Sequence, residues 1–363
     1  MKLVITYEKF LKTYPESYRK SLFYPKLLEL KKRGFSFSEV KKLLSPKLPF
    51  HILYRWYKGK TVPLPFKDFS RIKKEFNDKD LEKLAVIVGH ILGDGGINKK
   101  KILHYCNTEK FLIEEFKSCV RDVFHIKPMC EYREKSGIIR LRYPRVISRV
   151  LLCLFGEFSL GNKKKITRQI DRMPLWWKIK LIQALYNDEG SVVISNSYKA
   201  ITLKQKSKSI LEWIRKVLRS VNVNSTICFD GRCWQLRILN YINMRRFSEK
   251  VNFSKGYRKR VKLQQLLKKF KCPKWETKIE ILKLLKEKKR SVNELARRLR
   301  LKPGTICGHF HGWKRRGRES TKGLVDMKLV EVRKVGRKNY YCLSPKVRLT
   351  NLNFRLKLFN QNR

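Results

Sequence analysis

Ile87-Val88-Gly89-His90-Ile91-Leu92-Gly93-Asp94-Gly95 and Ile182-Gln183-Ala184-Leu185-Tyr186-Asn187-Asp188-Glu189-Gly190 are one motif written twice, 95 residues apart. Each is an apolar helix end that closes on an acidic residue followed by glycine. The register persists downstream. Arg140-Leu141-Arg142 lies 95 residues before Gln235-Leu236-Arg237, and Phe158-Ser159-Leu160-Gly161 lies 95 before Phe253-Ser254-Lys255-Gly256, each with a basic run after it. A carboxylate that keeps its place in both copies of a duplication is not accounted for by packing alone. The spacing predicts a pseudo-twofold molecule in which Asp94 and Glu189 meet at the axis.

Around each motif the periodicity reads helix, two strands, helix, two strands, helix. The first hairpins are Gly96 to Cys106 and Ser191 to Lys204, where Ser191-Val192-Val193-Ile194 alternates in the strand manner. The amphipathic helices are Lys110 to Phe124 and Lys208 to Val221, with Leu112, Phe116, Val120 and Val123 recurring three or four apart. The expected fold is α+β, a duplicated αββαββα core over residues 80–175 and 176–270.

Both ends change character. Residues 1–75 read as a basic helical domain of helix-turn-helix type. Its third helix, near Pro49 to Tyr57, runs into Lys58-Gly59-Lys60, and Arg55, Lys58 and Lys60 are its candidate DNA contacts. Thr61-Val62-Pro63-Leu64-Pro65 is expected to be a linker. Residues 276–345 read as three helices and a hairpin, the pattern of a winged helix. A capping box joins Ser291 to Glu294, a third helix opens at Lys302-Pro303-Gly304, and a turn holds Val335-Gly336-Arg337. Lys302 and Arg337 are the candidate DNA contacts there.

The 363 residues carry a formal charge of +57, spread over the whole length, so the expected partner is a polyanion that meets the protein along many phosphates. An apolar run long enough to span a bilayer and a signal-peptide pattern are both missing, which argues against membrane attachment. The nine cysteines include no Cys-x-x-Cys pair, as expected of reduced thiols in the cytoplasm on a DNA-associated protein. Cys228 with Cys233, and His309 with His311, lack a second ligand pair at useful spacing and read as structural.

The chemistry lies at the duplicated motif. Gly89 and Ala184 are small at equivalent positions, which lets two helices approach closely and delivers Asp94 and Glu189 side by side at their C-terminal ends. There the helix dipoles are also negative, so a hard divalent cation, Mg²⁺ above all, would relieve the repulsion.

The chain resembles the LAGLIDADG homing endonucleases in their single-chain, two-repeat form. The likeness covers about residues 80–270, including Asn107-Thr108-Glu109-Lys110-Phe111, Gln205-Lys206-Ser207-Lys208-Ser209 and Met173-Pro174-Leu175-Trp176-Trp177. His90, Leu92 and Asn187 depart from the motif, while both final acids are kept. The resemblance implies a monomer with internal pseudo-twofold symmetry that straddles double-stranded DNA with its two sheets. It also implies metal ligands at Asp94 and Glu189, with the backbone carbonyls of Gly93 and Asp188 beside them. The reaction implied is metal-assisted hydrolysis of phosphodiester bonds. Basic residues on central strands, Arg142, Lys204 and Arg237, are candidates to stabilise the scissile phosphates, and Arg140, Arg142, Gln205, Gln235 and Arg237 to contact DNA. The alternatives are a DNA-binding regulator with this fold and a helix-turn-helix but no catalysis, or an RNA-splicing maturase.

Overall fold

The computed structural model describes residues 2–44, 48–161, 163–195, 198–269, 274–299, 301–315, 318–321, 323–336 and 338–345. Arg337 lies outside them. The chain divides into two compact units, Met1–Leu267 and Lys268–Arg363.

The first unit begins with strand β1 (Leu3–Val4) and helices α1 (Tyr7–Leu11), α2 (Tyr24–Lys32), α3 (Phe37–Leu44), α4 (Phe50–Tyr57) and α5 (Leu64–Arg71). Leu27, Leu30, Val40, Leu44, Leu53 and Trp56 form their common core. The segment expected to be a linker is partly helical. Pro65 stands in the first turn of α5, where the missing N–H costs nothing, and Phe66 packs on Tyr7 and Tyr24. Strand β2 (Glu75–Phe76) then pairs antiparallel with β1, Leu3 opposite Phe76, so this region starts and ends side by side.

The two repeats follow. The first is α6 (Asp78–Leu92), β3 (Gly95–Ile97), β4 (Leu103–Asn107), α7 (Lys110–Phe124), β5 (Cys130–Arg133), β6 (Ile139–Tyr143) and α8 (Arg145–Phe155), with β7 (Ser159–Leu160), β8 (Lys163–Lys164) and α9 (Arg168–Asp171) leading on. The second is α10 (Leu175–Glu189), β9 (Gly190–Ile194), β10 (Lys199–Gln205), α11 (Lys208–Ser220), β11 (Thr226–Phe229), β12 (Trp234–Ile238), α12 (Tyr241–Lys250) and α13 (Arg258–Lys269). The sheets have the same strand order, β3-β4-β6-β5 and β9-β10-β12-β11, all antiparallel. Leu103, Tyr105, Leu141 and Tyr143 point from the first sheet into the core, as do Ile201, Leu203, Leu236 and Ile238 from the second. The period-2 alternation therefore leaves His104, Arg140 and Arg142 on one open face and Lys204, Gln235 and Arg237 on the other.

The second unit holds α14 (Lys274–Glu287), β13 (Arg290–Ser291), α15 (Val292–Leu299), α16 (Pro303–His311), β14 (Trp313–Arg315), β15 (Arg318–Thr321), β16 (Val330–Val335) and β17 (Lys338–Leu343). Ser291 caps α15 by accepting from Glu294 N at 3.3 Å. Leu282, Leu295, Ile306, Phe310 and Tyr341 fill its core.

Helices α6 and α10 are the central contact of the first unit. Asn77 and Asp80 start α6 with a reciprocal capping box. Leu84, Ile87, Val88 and Ile91 are buried on α6, and Leu181, Ala184 and Leu185 on α10. A β-carbon on Gly89 would run into the Leu181 carbonyl and lie 2.7 Å from Ala184 Cβ. Gly89→Val should therefore lower stability by about 1–3 kcal/mol or more, read as a lower urea midpoint. An unchanged midpoint would mean that the helices do not lie this close.

Candidate functional site

Because α6 and α10 touch along their length, their C-terminal ends arrive together, and the site is built from what those ends carry. Asp94 follows the Gly93 cap of α6 and is exposed; Glu189 is the last residue of α10. Desolvation by the surrounding protein, then the charges of Asp188 and Glu189, push the Asp94 carboxyl up to about 7, although its side chain still meets water. Burial likewise raises Glu189, with Asp188 adding to the rise. Asn107, at the end of β4, donates to Asp94 Oδ2 at 2.8 Å and fixes its carboxylate. Gln205, at the end of β10, donates to the Leu92 carbonyl at 3.4 Å.

Asp188 is not at the mouth of the site. Its side chain is wholly buried and accepts from Tyr105 Oη at 2.8 Å, from the Asp94 N–H at 3.3 Å and contacts His90 Nδ1 at 3.0 Å. The other ring nitrogen of His90 meets Glu115 Oε2 at 3.1 Å. Burial by itself would strip His90 of its proton, but Asp188 and Glu115 outweigh it and hold its pKa at about 10. An imidazolium between two carboxylates is thus sealed beneath the site, and Asn187 Nδ2 completes the network to Glu115 (3.2 Å) and Ser254 Oγ (2.7 Å). Gly93 is required opposite it, since a β-carbon there would collide with the Asp188 carboxylate.

Two lysines enter the site that the motif reading does not name. Lys164, from β8, donates to the carbonyl oxygen of Gly93. Lys259, near the start of α13, donates to the carbonyls of Asn187 at 2.6 Å and Asp188 at 3.1 Å. They are pseudo-equivalent, 95 residues apart, like the carbonyls they hold. Burial lowers both, Lys259 to about 8, while the nearby carboxylates oppose the fall. The signal was present in the basic runs after the Phe158 and Phe253 motifs, in the same register as the acids.

The basic candidates on the sheets lie elsewhere. Lys204 pairs with Asp230 at 2.9 Å, Arg237 Nε donates to Gln235 Oε1 at 2.6 Å, and Arg140 is held by Glu134 at 2.7 Å. Arg142 is exposed, over the ring of Tyr132 at 5.9 Å. These side chains form the open sheet faces and do not contact the acids. Arg55, Lys58 and Lys60 are exposed around the end of α4, and Lys302 at the start of α16.

For a metal, the protein supplies few ligands. Among the described residues no group of three or more His, Cys, Asp or Glu side chains could hold an ion. Asp94 and Glu189 are two carboxylates, and the Gly93 and Asp188 carbonyls each accept from a lysine. This donor set fits a hard cation that completes its sphere with water and phosphate oxygens, the habit of Mg²⁺ at phosphate-transfer sites.

The profile of the LAGLIDADG-like domain family matches residues 176–252, and that of the bacterial regulatory protein, arsR family, matches residues 276–311. An uncharacterized protein of Methanocaldococcus jannaschii is 24% identical over 162 residues, 42% of this chain and 60% of that relative's length. Among solved structures, the homing endonuclease I-DmoI in complex with DNA and Ca shares 17% identity, covering 52% of this chain and all of that one, with a TM-score of 0.41. Full-length DUF199/WhiA from Thermatoga maritima shares 13%, covering 64% and 90%, with a TM-score of 0.38. No helix among the described residues is long and apolar enough to cross a membrane. The second repeat thus carries a LAGLIDADG-like domain, and the region that follows the duplicated core is similar to the arsR-family regulators.

Proposed function

We propose that the chain is a site-specific endonuclease of double-stranded DNA that uses a divalent cation, Mg²⁺ by its donor set. The observation that carries this reading is the pair of acids at the ends of two abutting helices, each with a lysine beside it. A protein that only binds DNA has no use for carboxylates facing phosphates, where their charge opposes binding.

Asp94 and Glu189 would hold the cation, whose chemistry there is to lower the pKa of a water and to stabilise a leaving oxygen. Asn107 orients Asp94. Lys164 and Lys259 pin the motif carbonyls and place positive charge where the two scissile phosphates gain negative charge. His90 and Tyr105 hold Asp188 turned inward, so that it positions the Asp94 backbone instead of competing for the cation. The open sheet faces, with Arg140, Arg142, Lys204, Gln235 and Arg237, would lie on the duplex. The N-terminal 75 residues and the winged helix over 276–345 add further contact through Arg55, Lys58, Lys60, Lys302 and Arg337. One observation favours a second reading, a non-catalytic DNA-binding regulator: the arsR-family match over residues 276–311.

The deciding experiment selects duplexes bound in Ca²⁺ and then adds Mg²⁺. Double-strand cuts are expected, lost in Asp94→Asn and in Glu189→Gln while duplex affinity stays close to that of the parent; binding without cuts would favour the regulator. Lys164→Met and Lys259→Met should each slow cutting by about 10²-fold, the scale of losing one group that stabilises developing charge, measured in single-turnover assays. Without metal, Asp94 lowers stability. Its pKa is 3.8 in the unfolded chain and about 7 in the fold, so the penalty develops as pH rises between these values and is full above the higher one. Its exposure to solvent screens the effect to about 1 kcal/mol. Asp94→Asn should therefore melt roughly 2–4 °C higher at pH 8 in chelator, with the gain fading toward pH 4, by calorimetry.

A further inference from the structure

A groove of about 820 Å³ opens where the N-terminal helices meet the first repeat, and nothing in the site above uses it. Lys9 and Lys12 line it from α1, Lys99 to Lys101 from the tip of the β3–β4 hairpin, and Arg145 and Arg149 from α8. One carboxylate, Glu157, lines it as well and sits 3.5 Å from Lys101. Arg149 is occupied structurally, stacked 3.6 Å over the Tyr14 ring and donating to the Thr13 carbonyl, so it locks α8 to α1. Lys9, Lys12, Lys99 and Arg145 are exposed and have no ion-pair partner among the described residues.

Brought together from three segments of the fold, these cations repel one another, and an anion lying between them relieves that repulsion. The shape of that anion follows from the groove's continuity. Lys100 also lines a recess of about 380 Å³ with His104, Arg140 and Arg142, on the open face of the first sheet. The groove therefore continues that basic face around the hairpin tip. The helix of the second repeat equivalent to α8 has no counterpart of these arginines, since 95 residues on, Arg145 and Arg149 become Asn240 and Met244.

We propose that this groove carries the phosphate backbone of duplex DNA flanking the segment on the sheets, on the side of the first repeat alone. The inference rests on reading the chain as a protein of duplex DNA, but not on its cutting it.

The test compares the full-length protein with two variants of equal net charge. One carries Lys9→Gln, Lys12→Gln, Lys99→Gln and Arg145→Gln; the other carries Lys26→Gln, Lys32→Gln, Lys216→Gln and Lys250→Gln, all exposed lysines outside the groove. Arg149 is kept because it joins two helices, and unchanged melting curves establish that both variants fold. Affinity for a mixed-sequence duplex longer than the footprint is followed by anisotropy in EDTA over a range of KCl. Four lost phosphate contacts flatten the slope of log K against log [KCl] by about 3 to 4 in the groove variant only. Equal slopes in the two variants, with the parent binding normally, overturn the groove. A parent that does not bind duplex at all overturns the DNA reading itself, and the groove with it.

Discussion

The close approach of α6 and α10 at Gly89 is the constraint on which the rest of the first unit depends. With no side chain at that crossing, Ala184 and the Leu181 backbone reach the opposite helix, and the two repeats are held together along that seam. The same contact brings two negative helix ends together with three carboxylates, an arrangement that apolar packing has to stabilise. Burial of Ile87, Val88, Ile91, Leu181 and Leu185 supplies that stabilisation immediately above the charged layer.

The charges in that layer are sorted by depth. The deeper acids, Asp188 and Glu115, both meet the His90 ring and are further hydrogen-bonded by Tyr105 and Asn187, and against the cost of burial these partners hold the Glu115 carboxyl below its usual range. The shallower acids, Asp94 and Glu189, are pushed upward by burial and by neighbouring carboxylates despite the charges of Lys164 and Lys259, and hold their protons more tightly than usual. Buried charge tolerates only paired, fully hydrogen-bonded arrangements, whereas a group at the surface can be left in tension for a ligand to relieve. The departures at His90 and Asn187 from the usual motif are the residues that build the deep layer.

The duplicated α+β core was legible in the sequence because strand alternation, helix spacing and a 95-residue offset at the acidic motifs and the second hairpins agree, although the first hairpin of the second repeat is three residues longer. The strands β6 and β12 keep that offset residue for residue. The acids could be picked out for the same reason. Lys164 and Lys259 were harder to see, since they sit in basic runs within a chain of 87 lysines and arginines, and one more cation carries little information. Charge on a strand was also a poor guide to proximity. Arg142, Lys204 and Arg237 face outward from the sheets, and the pleat alone decides that they do not turn toward the helix ends. The expected linker Thr61–Pro65 overlaps only the first two residues of α5, where Pro65 is compatible with a first helical turn.

The repeats match in topology but not in what they present. At the equivalent place in the two sheets, Cys106 stands opposite Arg140 in the first, whereas Lys204 stands opposite Gln235 in the second. The N-terminal helices pack on the first repeat, α1 against α8. In an ordinary homodimer, identical halves demand a palindrome, because each must meet the same bases. A single chain is free of that demand. Once the two halves are joined in one polypeptide, each can change without the other, and a duplex held between them has a defined left and right. A protein of this design would therefore read its DNA with polarity.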